Sequence, residues 1–193
     1  MQKETTYQQL QPEDRITIAS MRQRGIGVRA IARTLERAPS TIARELARQI
    51  GAIHLRIDSI EQAIRDCSPD AAGLDEAGYR VAYAVAEDNI RLGRTVIADS
   101  VNPLQITRDA WLEVGRRTKT STMEIEVICS DSHEHRSRVE RRKPDIIGLR
   151  LPSWAQVISR EYQPWDREHI VIDTANRSPE QNVETLREAL SQH

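Results

Sequence analysis

The chain has 193 residues, of which 38% are hydrophobic and 30% charged, with 28 Lys and Arg against 29 Asp and Glu. The length fits one domain, or a small domain plus a medium one, and the composition is that of an ordinary soluble globular protein. No run of about 18 apolar residues is present, so no membrane span is expected.

The first six residues lack the apolar core of a secretory signal. Cys67 and Cys129 are isolated, which suits a reducing cytoplasm better than a disulfide framework or a metal site. His133 and His135 sit two apart and would diverge on a helix, so they lack ligand spacing. Charge is unevenly spread. Residues 1–50 hold nine Lys and Arg against five Asp and Glu, so the remainder is net acidic. A basic segment on an acidic body suggests different partners for the two parts.

In chain order, Pro12 with Glu13 and Asp14 predicts a first helical turn, with proline at N1 and acids at the positive end of the dipole. Ile16, Ala19 and Met21 give that helix an apolar side up to Gly25. Gly27 can cap a second short helix with Val28, Ile31, Ala32 and Leu35 inward. Pro39 starts a third, carrying Ile42, Leu46 and Ile50 at spacings of four. Three short helices with a tight turn between the last two make a helix-turn-helix. Ser40, Thr41, Arg44 and Arg48 lie on the outer side of the third helix. Hydroxyls can hold phosphates there and arginine can fork onto guanine. The same pattern also suits a plain three-helix packing unit with solvated arginines.

Tyr7–Arg15, Val28–Arg33 and Pro39–Leu46 resemble the N-terminal helix-turn-helix of a family of bacterial insertion-sequence transposases. The resemblance implies a DNA-binding domain over residues 7–48, with Arg29 joining Ser40, Thr41, Arg44 and Arg48 as DNA contacts. Gln11 and Ala38 depart from that family's capping hydroxyls. No acidic-triad nuclease domain follows, so transposition is not expected.

From residue 49 to 193 strands and helices alternate, which predicts a parallel sheet covered on both faces. Strands are expected at residues 52–58, 95–98, 124–129 and 169–172. Helices are expected after the first strand through Cys67, then over 79–92 with Gly93 as a stop, 106–117, 132–142 and 154–162. Ser178-Pro-Glu-Gln181 opens the last helix as a capping box. Asp58-Ser59, Asp99-Ser100 with Asn102, and Asp173-Thr174 recur at strand ends, where open parallel sheets bind ligands. The same residue types also favour turns and helix starts.

Residues 42–59, Gly93–Asn102, His135–Arg142 and Tyr162-Gln-Pro-Trp-Asp166 resemble small P-loop kinases, the relatives of zeta toxins, chloramphenicol phosphotransferase and gluconate kinase. The resemblance runs from about residue 40 to the C-terminus and shares the helix 40–50 with the helix-turn-helix. It implies ATP and Mg²⁺ as cofactors, Asp58 as the base at the acceptor hydroxyl, and Asp99 as a residue holding Mg²⁺. It further implies Arg138 and Arg142 as lid arginines on the phosphates, and Ser40 and Thr41 at the final hydroxyl positions of the phosphate loop. A solvated helix face would also account for the arginines.

The phosphate loop itself is missing. A P-loop needs Gly-x-x-x-x-Gly-Lys-[Ser/Thr] after a first strand. Here Pro39 stands where the lysine belongs and Ala38 where the glycine belongs, and the chain's three lysines, Lys3, Lys119 and Lys143, lie elsewhere. Residues 15–20 as a strand followed by Gly25–Ala30 as a degenerate loop would still lack the lysine, so the helical reading is preferred. The expected fold is therefore a truncated α/β body of about four strands, whose 95–98 and 124–129 strands pair directly or leave backbone groups unsatisfied. Three functional readings follow: a kinase-like body impaired in transfer and fused to a DNA-binding domain; a DNA-binding regulator whose body senses a ligand; and a non-functional chimera.

Overall fold

The computed structural model describes residues 16–22, 39–67 and 74–191. In chain order the elements are β1 (Ile16–Arg22), α1 (Pro39–Ile50), β2 (Ile53–Arg56), α2 (Ile57–Cys67), α3 (Leu74–Arg91), β3 (Val96–Val101) and α4 (Gln105–Thr118). There follow β4 (Ser121–Met123), β5 (Ile125–Ile128), α5 (Ser132–Arg141), α6 (Trp154–Ser159), β6 (Ile170–Asp173) and α7 (Pro179–Ser191). No described helix is long and apolar enough to cross a membrane.

The strands form one sheet in the order β2-β3-β1-β5-β6, with β4 also paired to β1. β2 runs parallel to β3 and β5 parallel to β6. These pairs agree with the parallel arrangement expected, but two expectations are corrected. Residues 16–22, expected in a helix, form a strand, and this strand fills the gap between β3 and β5 that was expected to close directly or stay open.

β1 is antiparallel to β3, β4 and β5, with Ile18 opposite Asp99 and Thr17 opposite both Ser100 and Glu126. The sheet is thus mixed and six-stranded rather than parallel and four-stranded. The physical reason is backbone satisfaction. The inner edges of β3 and β5 present unpaired N–H and C=O groups, and Ile-Thr-Ile-Ala-Ser is a β-branched, alternating run that can pair with both.

Helices cover both faces. On one side Ile42, Ala43, Leu46 and Ala47 of α1 pack with Val183, Leu186 and Leu190 of α7 over Ile97, Ile125, Val127 and Ile172. On the other, Ala82, Ala86 and Ile90 of α3 and Trp111 and Val114 of α4 cover Leu55, Val96 and Ala98. β3 therefore sends Ile97 to one layer and Val96 and Ala98 to the other, as strand alternation requires.

Local signals set the helix ends. Ser178 Oγ accepts from the Gln181 N–H while the Gln181 side chain accepts from the Ser178 N–H, the expected capping box. α3 ends before Gly93, which turns the chain at φ 79°.

Candidate functional site

β2 alternates apolar Ile53 and Leu55 with polar His54 and Arg56, so the two polar side chains share a face. Asp58 follows in the first turn of α2, rather than at a strand end. Asp99 and Ser100 lie within β3, one strand over, and are buried. α1 begins at Pro39 and directs Ser40 toward the same place. A cleft of about 100 Å³ results, lined by Ser40, Asp58, Asp99, Ser100, Arg142 and the segment Leu149–Pro152, with Arg160 at its edge.

Asp99 is 3% exposed, and both of its carboxylate oxygens are engaged. Ser40 Oγ donates to Oδ1 at 3.4 Å, and His54 Nε2 lies 3.0 Å from Oδ2. Arg56 is buried beneath Asp58. Its Nη1 donates to both oxygens of Asp145 at 3.0 and 2.9 Å, and its Nη2 to Asp58 Oδ2 at 3.2 Å. The Arg56 hydrogen bonds hold the Asp145 carboxyl below the usual carboxylate range, and Arg44, 3.5 Å away, adds to the effect. Just past the end of β3, Asn102 donates to Ser100 Oγ at 2.9 Å.

The structure brings Ser40, Asp58, Asp99 and Arg142 together. It does not bring Arg138, which donates to Thr174 Oγ1 at 2.8 Å and to the Thr174 carbonyl at 2.9 Å, pinning the end of β6, and also pairs with Glu134. Thr41 does not line the cleft. Arg44 and Arg48 are exposed on α1, but Arg44 faces Asp145 and Arg48 is bonded to Glu45 at 2.9 and 2.5 Å. Arg29 lies outside the described residues.

Sequence reasoning missed His54, Arg56, Asp145, Arg150 and Arg160. The alternation of β2 held the signal for the first two. Asp145 reaches Arg56 across 89 residues, which no local pattern reveals.

Magnesium is a hard cation that takes oxygen ligands in a strict octahedron. Asp99 already satisfies Ser40 and His54, and Asp58 satisfies Arg56. Among the described residues no group of three or more His, Cys, Asp or Glu could hold a metal ion. The described residues thus supply no all-protein Mg²⁺ cage, and a cation accompanying substrate phosphates would meet the Asp58 and Asp99 carboxylates.

The Tyr162–Asp166 segment has a different task. Arg108 is fully buried and donates to the carbonyls of Asn102, Pro103, Gln163 and Pro164, while Tyr162 and Trp165 cover its guanidinium at 4.9 and 4.4 Å. Burial pulls that guanidinium below its ordinary value. Arg167 is bound to Glu124 and Asp109, and Tyr162 donates to Glu126. The motif clasps α4 to the segment that follows β3.

The strands and helices form a mixed α/β body with the cleft beside β3. It is similar in structure to a protein from Chloroflexus aurantiacus J-10-fl named as a putative kinase, with a TM-score of 0.59 at 15% identity, covering 79% of this chain and 89% of that one. At that identity the likeness is one of fold.

The N-terminal part has a separate kinship. Residues 6–49 match the family described as a helix-turn-helix domain. A stretch of 44 residues is 54% identical to the transposase of insertion sequence element IS1086 from Cupriavidus metallidurans, covering 23% of this chain and 13% of the transposase. The chain therefore combines a helix-turn-helix sequence similar to that of a transposase with an α/β fold similar to that of the Chloroflexus protein. The two overlap on β1 and α1.

Proposed function

We propose that the α/β body binds a phosphate-bearing ligand of the nucleotide class in the cleft, and that the helix-turn-helix sequence binds DNA. The observation that carries the first part is the convergence of Ser40, Asp58, Asp99 and Arg142, from four separate segments, beyond the carboxyl end of β2 and beside β3. Arg142, Arg150 and Arg160 give the cleft a basic rim, and guanidinium groups are the side chains best matched to phosphate oxygens.

Phosphoryl transfer is impaired in this reading. The backbone cradle and lysine of a P-loop stabilise the transferring charge, and Pro39 stands where that lysine belongs. Asp58, held by Arg56, serves to orient an acceptor hydroxyl rather than to complete a transfer site.

The test is thermal unfolding of the full chain with ATP, Mg·ATP or inorganic phosphate. Binding raises the midpoint by mass action. A rise with ATP, lost in Arg142→Ala, is expected, together with ATP turnover indistinguishable from background. An unchanged midpoint with every ligand would remove the nucleotide reading. Turnover abolished by Asp99→Ala would show transfer to be intact.

A chimeric origin has its own support. The helix-turn-helix match ends at residue 49, within α1, and Ser-Thr-Ile-Ala-Arg-Glu-Leu suits both a recognition helix and a helix following a phosphate loop. Joining the two folds inside that helix would remove the kinase-type first strand and loop while preserving the helix.

A further inference from the structure

α1 and β1 are each required twice. In the α/β body the inner face of α1, made by Ile42, Ala43, Leu46 and Ala47, is buried against α7 and the sheet. A helix-turn-helix spanning residues 6–49 needs the same Ile42 and Leu46 to pack on its own preceding helices, because a short helix is stabilised by its apolar face rather than by propensity.

The N-terminal residues of a recognition helix must also enter the major groove. In this structure Ser40 is 8% exposed and donates toward the Asp99 carboxylate, and Arg44 lies 3.5 Å from Asp145. Both anions would repel DNA phosphates. The backbone of residues 16–22, inside the helix-turn-helix match, is paired on both sides as the central strand.

We infer that the DNA-binding helix-turn-helix and the α/β body are alternative folded states of one chain that compete for residues 16–22 and 39–50, so that a formed body suppresses DNA binding. The inference rests on the DNA-binding reading above. Its energetics are those of a binding-competent state that is only fractionally populated: apparent affinity falls by that fraction, and destabilising the competing state restores it.

The prediction has an unusual sign. Damage to the α/β core at residues outside the helix-turn-helix match strengthens DNA binding. The experiment measures fluorescence anisotropy of a labelled random-sequence duplex, at low salt, with the full chain and with Leu186→Asp and Val183→Ala, both on α7 against α1. The competing-state account expects at least tenfold tighter binding by Leu186→Asp, a smaller gain by Val183→Ala, and loss of the gain when Arg44→Ala and Arg48→Ala are added. Equal affinity of all three chains overturns the competition and leaves DNA binding standing. A gain that survives removal of both arginines overturns it too, because adhesion to exposed core would then explain the signal. No binding by any chain overturns both the inference and the DNA-binding reading.

Discussion

The outer strand pairs and the strand between them enter the sheet by different routes. β2 with β3, and β5 with β6, run parallel and are fixed by the helices that connect and cover them, with Ile97, Ile125, Val127 and Ile172 buried in one layer. β1 runs antiparallel to its neighbours and comes from a segment that matches a helix-turn-helix family. The difference separates two causes of structure. The outer pairs follow from their own hydrophobic pattern. The central position follows from the need of two inner edges for hydrogen-bond partners, and that need is met by backbone and is indifferent to where the partner came from.

The largest effect expected is on α1, which serves the body whatever fills the centre. Leu46→Ala should cost about 2–5 kcal/mol in urea unfolding, because a fully buried side chain leaves a cavity. Ile18→Pro separates the two causes more sharply. It removes a central N–H and bends a strand paired on both sides, and a loss of about 2–3 kcal/mol is expected from unsatisfied ladder groups. A neutral result would mean that the outer pairs stand without β1.

Ion pairing beside the cleft gives a pH-dependent effect. Arg56 lowers the Asp145 carboxyl, so the pair stabilises the fold above the ordinary carboxylate range, near pH 4, and this contribution is lost as pH falls through the depressed folded value. Asp145→Asn should therefore flatten the acid limb of a stability-against-pH curve while leaving its shape above about pH 5 unchanged. The smallest effect is at the last helix. Ser178→Ala removes one half of a capping box and should cost about 1 kcal/mol by the same unfolding measurement.

Much of the outer architecture was legible from residue pattern. The strand at 52–58 appears as Ile53–Arg56, the capping box at Ser178 forms, and Gly93 ends its helix. Residues 16–22 were not legible, because Ile16, Ile18 and Ala19 fit both a helical spacing and a strand alternation. The choice between them is made by edges that lie some 80 to 110 residues away in sequence. In the cleft, Asp58 and Asp99 stood out as acids after apolar runs. The partners that hold them, His54 and Arg56, read locally as ordinary strand residues, and Arg138, which read as a lid arginine, is instead bound at the end of β6.

The central strand holds the two halves of the sheet together, and native-state hydrogen exchange of the free full chain tests its pairing directly. If β1 is paired between β3 and β5, the amides of Thr17–Met21 exchange only through opening of the sheet and are protected as strongly as those of Ile97 and Val127. Exchange of Thr17–Met21 at the rate of exposed backbone, with Ile97 and Val127 still protected, would contradict it.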